Sequence, residues 1–204
     1  MKETDVIEKI EKSPNALSIF RHLQRTFKDE NKRRREFYET VREDQKAEFI
    51  NGEIVIHSPV MRRHSQASFA LANAIFNFLK DKDIGEVHHE KLMVRLTRND
   101  YEPDVCFFGK EKADTFKPEQ LLFPAPDFVA EVISKSTEQT DRTIKLQDYQ
   151  NHGVAEYWLI DPETRFVEQY LLSGEKYELY KKTDTGTVKS KAIKGFEIEV
   201  ERLF

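Results

Sequence analysis

Cysteine is nearly absent from this chain, with Cys106 the single example in 204 residues. A lone thiol excludes a disulfide framework within the chain and any thiolate zinc cluster. Long apolar runs are missing as well: none exceeds four residues, which excludes a transmembrane helix and a secretory core segment. Charge of one sign does not dominate, because 33 Lys and Arg stand against 37 Asp and Glu for a net charge of −4. No global electrostatic footprint for nucleic acid or membrane follows, so any such footprint is local. The sequence also lacks a P-loop, a G-x-G-x-x-G turn and a Ser nucleophile elbow. It has no internal repeat and no low-complexity tract. These absences lead us to expect a soluble, cytoplasmic protein with no membrane partner.

What is present is size and charge. A chain of this length buries roughly 70% of the surface its unfolded form exposes, so it folds without a metal or disulfide staple. Charged residues reach 34% of the total, against about 25% in typical domains. The acids are unevenly placed. Residues 100–163 hold 14 Asp and Glu but only 6 Lys and Arg, a local net of −8, while the remainder is mildly basic.

Residues 1–45 read as helical. Ser13-Pro14 offers a cap followed by a first helical position, and Leu17, Phe20, Leu23 and Phe27 recur at helical spacing. Lys32, Arg33, Arg34 and Arg35 form one basic run, read first as a solvated helix face and second as a local nucleic-acid contact, as Arg62-Arg63 also is. From Lys46 the period becomes two. Residues 47–50 and 53–57 flank Asn51-Gly52, a strong hairpin signal. A helix is predicted over 64–80, with Ala67, Leu71, Ala74, Ile75, Phe78 and Leu79 on one stripe. Strands follow at 86–96 and 104–108, then a proline-rich loop at 115–126. The apolar stretch 127–133 reads as a central strand, with a helix at 138–152 ending at Gly153 and a second buried strand at 157–160. Strands at 165–172, 176–182 and 187–200 complete the chain as an antiparallel meander. A helix between two apolar strands favours a right-handed crossover, so the fold class is α/β (α+β), a mixed central sheet flanked by helices.

Two tempting sites are set aside. Cys106 lies between Val105 and Phe107, an apolar setting that suppresses the thiolate. In His88-His89-Glu90, neighbouring strand residues point to opposite faces, so the two histidines do not share one ion. The informative anomaly is Glu131. It emerges in the middle of a strand that is apolar on both faces, where an unpaired carboxylate costs several kcal/mol. Asp104 is its natural companion if the two strands are neighbours. Two facing carboxylates repel unless one holds a proton or a hard cation sits between them, and Mg²⁺ takes such oxygen ligands. Asp141, Lys145 and Tyr149, spaced i, i+4, i+8, lie along one stripe of the following helix. Asp141–Lys145 also reads as an ordinary surface ion pair.

Pro103-Asp104, Glu131-Val132-Ile133-Ser134-Lys135-Ser136-Thr137, Asp141-x-x-x-Lys145 and the segment Gly153 to Trp158 together resemble the bacterial Uma-type restriction endonuclease family, a branch of the PD-(D/E)XK nuclease superfamily. The segment 48–54 and His64 resemble its opening motif, and the likeness spans roughly residues 36–172. The resemblance implies a restriction-endonuclease-like core and divides the chain into a helical extension, 1–35, and a nuclease domain, 36–204. It implies that Asp104 and Glu131 hold Mg²⁺, or Mn²⁺ in its place, with the main-chain carbonyl of Val132. The superfamily's usual lysine position is Ile133 here. Lys145 from the next helix is therefore taken as the catalytic lysine, with Lys135 as the fallback. Glu48 and His64 are accessory candidates, beside the plainer readings of a surface hairpin Glu and a helix-start His.

The implied activity is metal-dependent hydrolysis of DNA phosphodiester bonds, with Lys145 orienting the attacking water or neutralising the developing negative charge. Two alternatives stand beside it. One is a catalytically idle nucleic-acid-binding or assembly module of the same fold, and the other is hydrolysis of a different phosphate ester. Oligomeric state stays open; a homodimer is one arrangement, by analogy with nucleases that cut both strands.

Overall fold

The computed structural model, which describes residues 3–42 and 44–204, stacks two β-sheets between helices. In chain order the first half comprises α1 (Glu3–Glu11), α2 (Ala16–Thr40), β1 (Ala47–Ile50), β2 (Glu53–Ile56), α3 (Arg62–Leu79), β3 (Gly85–His89), β4 (Met93–Arg95), β5 (Asp100–Tyr101) and β6 (Val105–Gly109). The second half comprises α4 (Lys110–Ala113), β7 (Leu122–Phe123), β8 (Phe128–Val132), α5, β9 (Glu156–Asp161), β10 (Phe166–Ser173), β11 (Lys176–Thr183), β12 (Thr187–Lys189) and β13 (Glu197–Glu199). Helix α5 is continuous through Glu138–Thr140, Asp141–Lys145 and Leu146–Asn151, and its middle segment is wound as a π-helix.

The larger sheet runs β11-β10-β9-β8-β6-β3, and within it only β8 and β9 are parallel. That pair is joined by α5, the crossover expected from the sequence. The smaller sheet runs β2-β1-β5-β4-β7. The alternation read from residues 127–133 holds. Phe128, Ala130 and Val132 meet α3 residues Ala67, Leu71 and Ile75 in one core. Val129 and Ile133 meet Tyr101 of the small sheet and Tyr149 of α5 in a second. Cys106 is buried in that second core, and burial pushes its thiol well up, leaving it inert.

The β1–β2 hairpin forms where Asn51-Gly52 predicts it, with φ 51° and 86° at the two turn residues. Gly52 is needed for a second reason: a Cβ there would lie 2.6 Å from Glu30 Cγ on α2.

Besides β7, a two-residue strand inside the expected loop at 115–126, four expectations about the fold need correction. Residues 86–96 are two strands in different sheets. Glu90 and Lys91 sit at φ 53° and 50°, and two successive left-handed residues turn β3 away from β4. Neither residue is glycine, so composition carries no sign of the break. Next, Pro14 is not the first helical residue; 13–15 form a turn between α1 and α2. Third, 187–200 is two short strands, β12 and β13, paired apart from the main sheet, whereas β10 and β11 extend it. The loop between them is pinned by Glu156. Its buried carboxylate accepts from Trp158 Nε1 at 2.6 Å, Gln169 Nε2 at 2.7 Å, Ser190 Oγ at 2.7 Å and the main-chain N–H of Lys191 and Ala192 at 2.7 and 2.8 Å.

The fourth correction concerns the basic run. Lys32, Arg33 and Arg35 are exposed, but Arg34 is neither solvated nor free for nucleic acid. Its guanidinium forks onto Asp100 with two contacts of 2.6 Å and also donates to the carbonyls of Leu96, Thr97 and Asn99. Tyr38 donates to the same carboxylate at 2.9 Å. This cluster fastens the C-terminal part of α2 to the small sheet, where Phe37 packs on Phe49. The division expected at residue 35 falls inside α2, and among residues 4–29 none is buried.

On β10, Glu168 ties α5 and the edge strand β11 to the large sheet through Arg142 at 2.8 Å and Lys182 at 2.9 Å, and it accepts from Tyr170 at 2.8 Å. Burial alone would raise this carboxyl, but Arg142, Lys182 and Tyr170 outweigh it and bring it from 4.5 to about 2. A folded-state value below the unfolded one stabilises the fold above pH 4.5, and that contribution is lost as pH falls towards 2. Chemical denaturation of Glu168→Gln should therefore show a deficit at neutral pH that shrinks steadily through that window.

Candidate active site

Register places the two carboxylates together. Val105 pairs with Ala130 across the β6–β8 ladder, so Asp104, one residue earlier, stands opposite Glu131. The Asp104 N–H donates to Glu131 Oε2 at 3.3 Å, and the Val132 N–H donates to Asp104 Oδ2 at 2.8 Å. Asp104 Oδ2 also lies 3.3 Å from His64 Nε2, while Oδ1 accepts from Lys46 Nζ at 2.6 Å. Burial works against the ionised form of Asp104, but Lys46 and His64 outweigh it and hold the carboxyl well below the usual range.

Lys145 joins a second group of acids. Its ammonium lies 2.9 Å from Glu48 Oε1, 3.0 Å from Glu131 Oε1 and 3.5 Å from Asp141 Oδ1, with the Tyr101 ring centroid at 5.4 Å. The π-wound stretch carries both Asp141 and Lys145, and such wide turns recur at functional sites. One turn on, Tyr149 donates its hydroxyl to Glu131 Oε1 at 3.1 Å. The stripe of Asp141, Lys145 and Tyr149 therefore faces inward, and all three residues are buried. The surface ion-pair reading of Asp141–Lys145 does not hold.

Glu48 is fully buried as well, not a surface hairpin residue. It accepts from the Glu102 N–H at 3.0 Å and lies 3.0 Å from His57 Nε2. Burial raises its carboxyl, but Lys145, His57 and Lys46 outweigh that and bring it to about 2. Glu131 goes the other way. Burial lifts it, the neighbouring Asp104, Asp141 and Glu48 add to that, and Lys145 offsets only part, leaving it at about 8.

Together Glu48, Asp104, Glu131 and Asp141 supply four buried carboxylates against two ammoniums, Lys46 and Lys145. Counting these carboxylates and ammoniums alone, the cluster carries a formal excess of two negative charges. The raised Glu131 carboxyl relieves part of it by holding a proton, and a divalent cation is the other means of relief. One Asp141 oxygen accepts no hydrogen bond within the described residues. Among those residues no three His, Cys, Asp or Glu side chains form a ready cage. Mg²⁺ does not need one, since it binds through one or two carboxylates and keeps several waters. The chemistry of the donor set, the carboxylates of Asp104 and Glu131, fits such an ion, and Val132 lines the same cavity.

These groups open onto a cavity of about 570 Å³, lined by Lys46, His57, His64, Asp104, Glu131, Val132 and Lys145 among others. Arg63 of α3 and Glu163 after β9 form an ion pair of 3.0 Å that also borders it. Lys135 is exposed, in the loop between β8 and α5, and lines the same cavity. The structure thus brings Asp104, Glu131, Val132, Lys145, Glu48 and His64 into one place. Sequence reasoning missed Lys46 and His57. They flank the hairpin at either end, and the Lys46 carbonyl accepts from the His57 N–H at 2.9 Å, so the hairpin register alone would have put them side by side.

A mixed sheet with a β-α-β crossover, flanked by helices, defines a mixed α/β fold, with this acid–lysine cluster gathered from both sheets and from α5. Residues 34–201 match the family described as "Uma2: Putative restriction endonuclease", and the chain belongs to that family. A solved structure titled as a putative nuclease belonging to DUF820, from Anabaena variabilis ATCC 29413, superposes with a TM-score of 0.70 at 21% identity, covering 82% of this chain and 94% of that one. Uncharacterized protein sll1609 of Synechocystis sp. (strain ATCC 27184 / PCC 6803 / Kazusa) is 29% identical over 139 residues, 65% of this chain and 75% of its own. No helix among the described residues is long and apolar enough to cross a membrane.

Proposed function

We propose that the protein is a divalent-metal-dependent endonuclease that hydrolyses DNA phosphodiester bonds at this cavity. The observation that carries the reading is the convergence on the Glu131 carboxylate of the Asp104 main-chain N–H at 3.3 Å and the Lys145 ammonium at 3.0 Å. Asp104 and Glu131, with the Val132 carbonyl, would hold Mg²⁺ or Mn²⁺. The bound cation supplies Lewis-acid polarisation of a phosphate oxygen and charge stabilisation.

The remaining work falls to side chains. Lys145 keeps Glu131 and Glu48 fixed and sets a positive charge beside the developing negative phosphate. In the hydrolysis itself, a water oxygen bonds to phosphorus, one P–O ester bond breaks, and a proton passes from the water to the departing oxygen. His64 steadies Asp104, and Glu48 with His57 braces Lys145 from the small sheet. Lys135, exposed at the cavity border, supplies local positive charge for a phosphate backbone that the net charge of −4 does not provide, and Arg63 would do so on leaving Glu163.

Purified protein with Mg²⁺ or Mn²⁺, offered single- and double-stranded DNA and RNA, is expected to cut DNA. Asp104→Ala and Glu131→Ala should each lower cleavage by at least about 100-fold. Cleavage that survives both substitutions overturns the site assignment. Binding without cleavage of any substrate identifies the idle module instead.

A further inference from the structure

Two ammoniums serve the acid cluster, and they are not equivalent. Lys145 is held by three carboxylates with its side chain 4% exposed. Lys46 has a side chain 20% exposed, lines the cavity and, among the described residues, makes one close side-chain contact, to Asp104 Oδ1. The other Asp104 oxygen is engaged by the Val132 N–H and His64. Oδ1 is therefore the oxygen a cation would take, and Lys46 is what stands on it. Asp104 lies at the start of β6, with the Val132 N–H fixing its carboxylate, so the acid stays while the lysine, entering just before β1, has four flexible methylenes.

We infer that Lys46 is a displaceable counter-ion: it occupies Asp104 Oδ1 in the metal-free protein, yields that oxygen to a divalent cation, and then meets a substrate phosphate in the cavity. The inference rests on the metal-dependent reading above. Physically it removes a conflict. A bare Asp104 buried beside Glu131 would be strongly disfavoured, and Lys46 supplies the charge until a cation replaces it. Once displaced, the ammonium remains on the cavity wall, where a phosphodiester anion is the complementary group.

Mn²⁺ binding to the full chain, read from the electron paramagnetic resonance of free Mn²⁺, tests the first half. Lys46→Met and Lys46→Gln are expected to bind Mn²⁺ about tenfold more tightly than the wild type, because the competitor is gone. Asp104→Ala should bind it far more weakly. DNA affinity measured in Ca²⁺ tests the second half. Both Lys46 variants should lose about tenfold, and the dependence of binding on salt should fall by about one phosphate contact.

Unchanged or weaker Mn²⁺ binding in both Lys46 variants, with binding lost in Asp104→Ala, overturns the inference and leaves the metal reading intact. Tighter Mn²⁺ binding with unchanged DNA affinity overturns the hand-over to phosphate. Absence of Mn²⁺ binding in every protein, wild type included, removes the metal reading and the inference with it. Two variants of different polarity, each checked by its thermal melt, separate these outcomes from a failure to fold.

Discussion

Lys145→Met is expected to destabilise the protein by about 3–5 kcal/mol, the range seen when one partner of a buried ion pair is removed. Methionine fills nearly the same volume, so little of the loss comes from packing. The loss comes from Glu48, Glu131 and Asp141, which keep their burial and lose the ammonium within 3.5 Å that offsets it. Urea denaturation in a chelating buffer measures this directly. A double-mutant cycle with Glu48→Gln, whose carboxylate is the ionised partner 2.9 Å from the ammonium, separates charge from shape: neutralising Glu48 in the Lys145→Met background should recover about 1–3 kcal/mol. Additive losses would mean that the pair does not interact. Cleavage should fall by at least about 100-fold in Lys145→Met, since the charge facing the phosphate goes with it.

Arg34→Met is expected to be nearly as damaging, at about 3–5 kcal/mol, and it lies in a segment that composition marks as solvent-facing. The substitution leaves Asp100, which is fully buried, with Tyr38 as its remaining side-chain donor, and leaves the carbonyls of Leu96, Thr97 and Asn99 without their shared partner. Arg34→Lys should rescue little. A single ammonium cannot reproduce a planar fork that reaches two carboxylate oxygens and three carbonyls at once. For a chain of this size the melting temperature should drop on the order of 10 °C. Arg35→Ala, one residue along and exposed, is the control and should stay within about 0.5 kcal/mol of the wild type. Equal melting temperatures for the Arg34 and Arg35 variants would show that α2 is not fastened by this cluster.

These two lysine and arginine sites illustrate what a sequence discloses. Glu131 is legible because an acid inside an apolar alternation contradicts its surroundings, and the contradiction demands partners. Asp104 follows from strand adjacency, and Lys145 from helix phase after the same strand. The hairpin, the crossover helix and the two faces of β8 are legible for similar reasons, since each rests on a local period. Arg34 is not, because its neighbours Arg33 and Arg35 share its chemistry and nothing local says which one turns inward. The break at Glu90 and Lys91 is hidden by ordinary side chains in unusual backbone conformations. The π-wound stretch of α5 also leaves no compositional trace. Lys46 and His57 are ordinary alone and gain meaning only when the hairpin sets them against the large sheet.

The cluster around Lys145 also bears on time. Its members come from positions 46, 48, 57, 104, 131, 141 and 145, spread over half the chain and over both sheets. Contacts so distant in sequence form only after the costly closure of long loops. Until both sheets have closed, every one of these charges is better off in water. Their dehydration is therefore repaid only when the strands and helices of both sheets have met. Competence at the cavity thus depends on the whole fold and on no single local element.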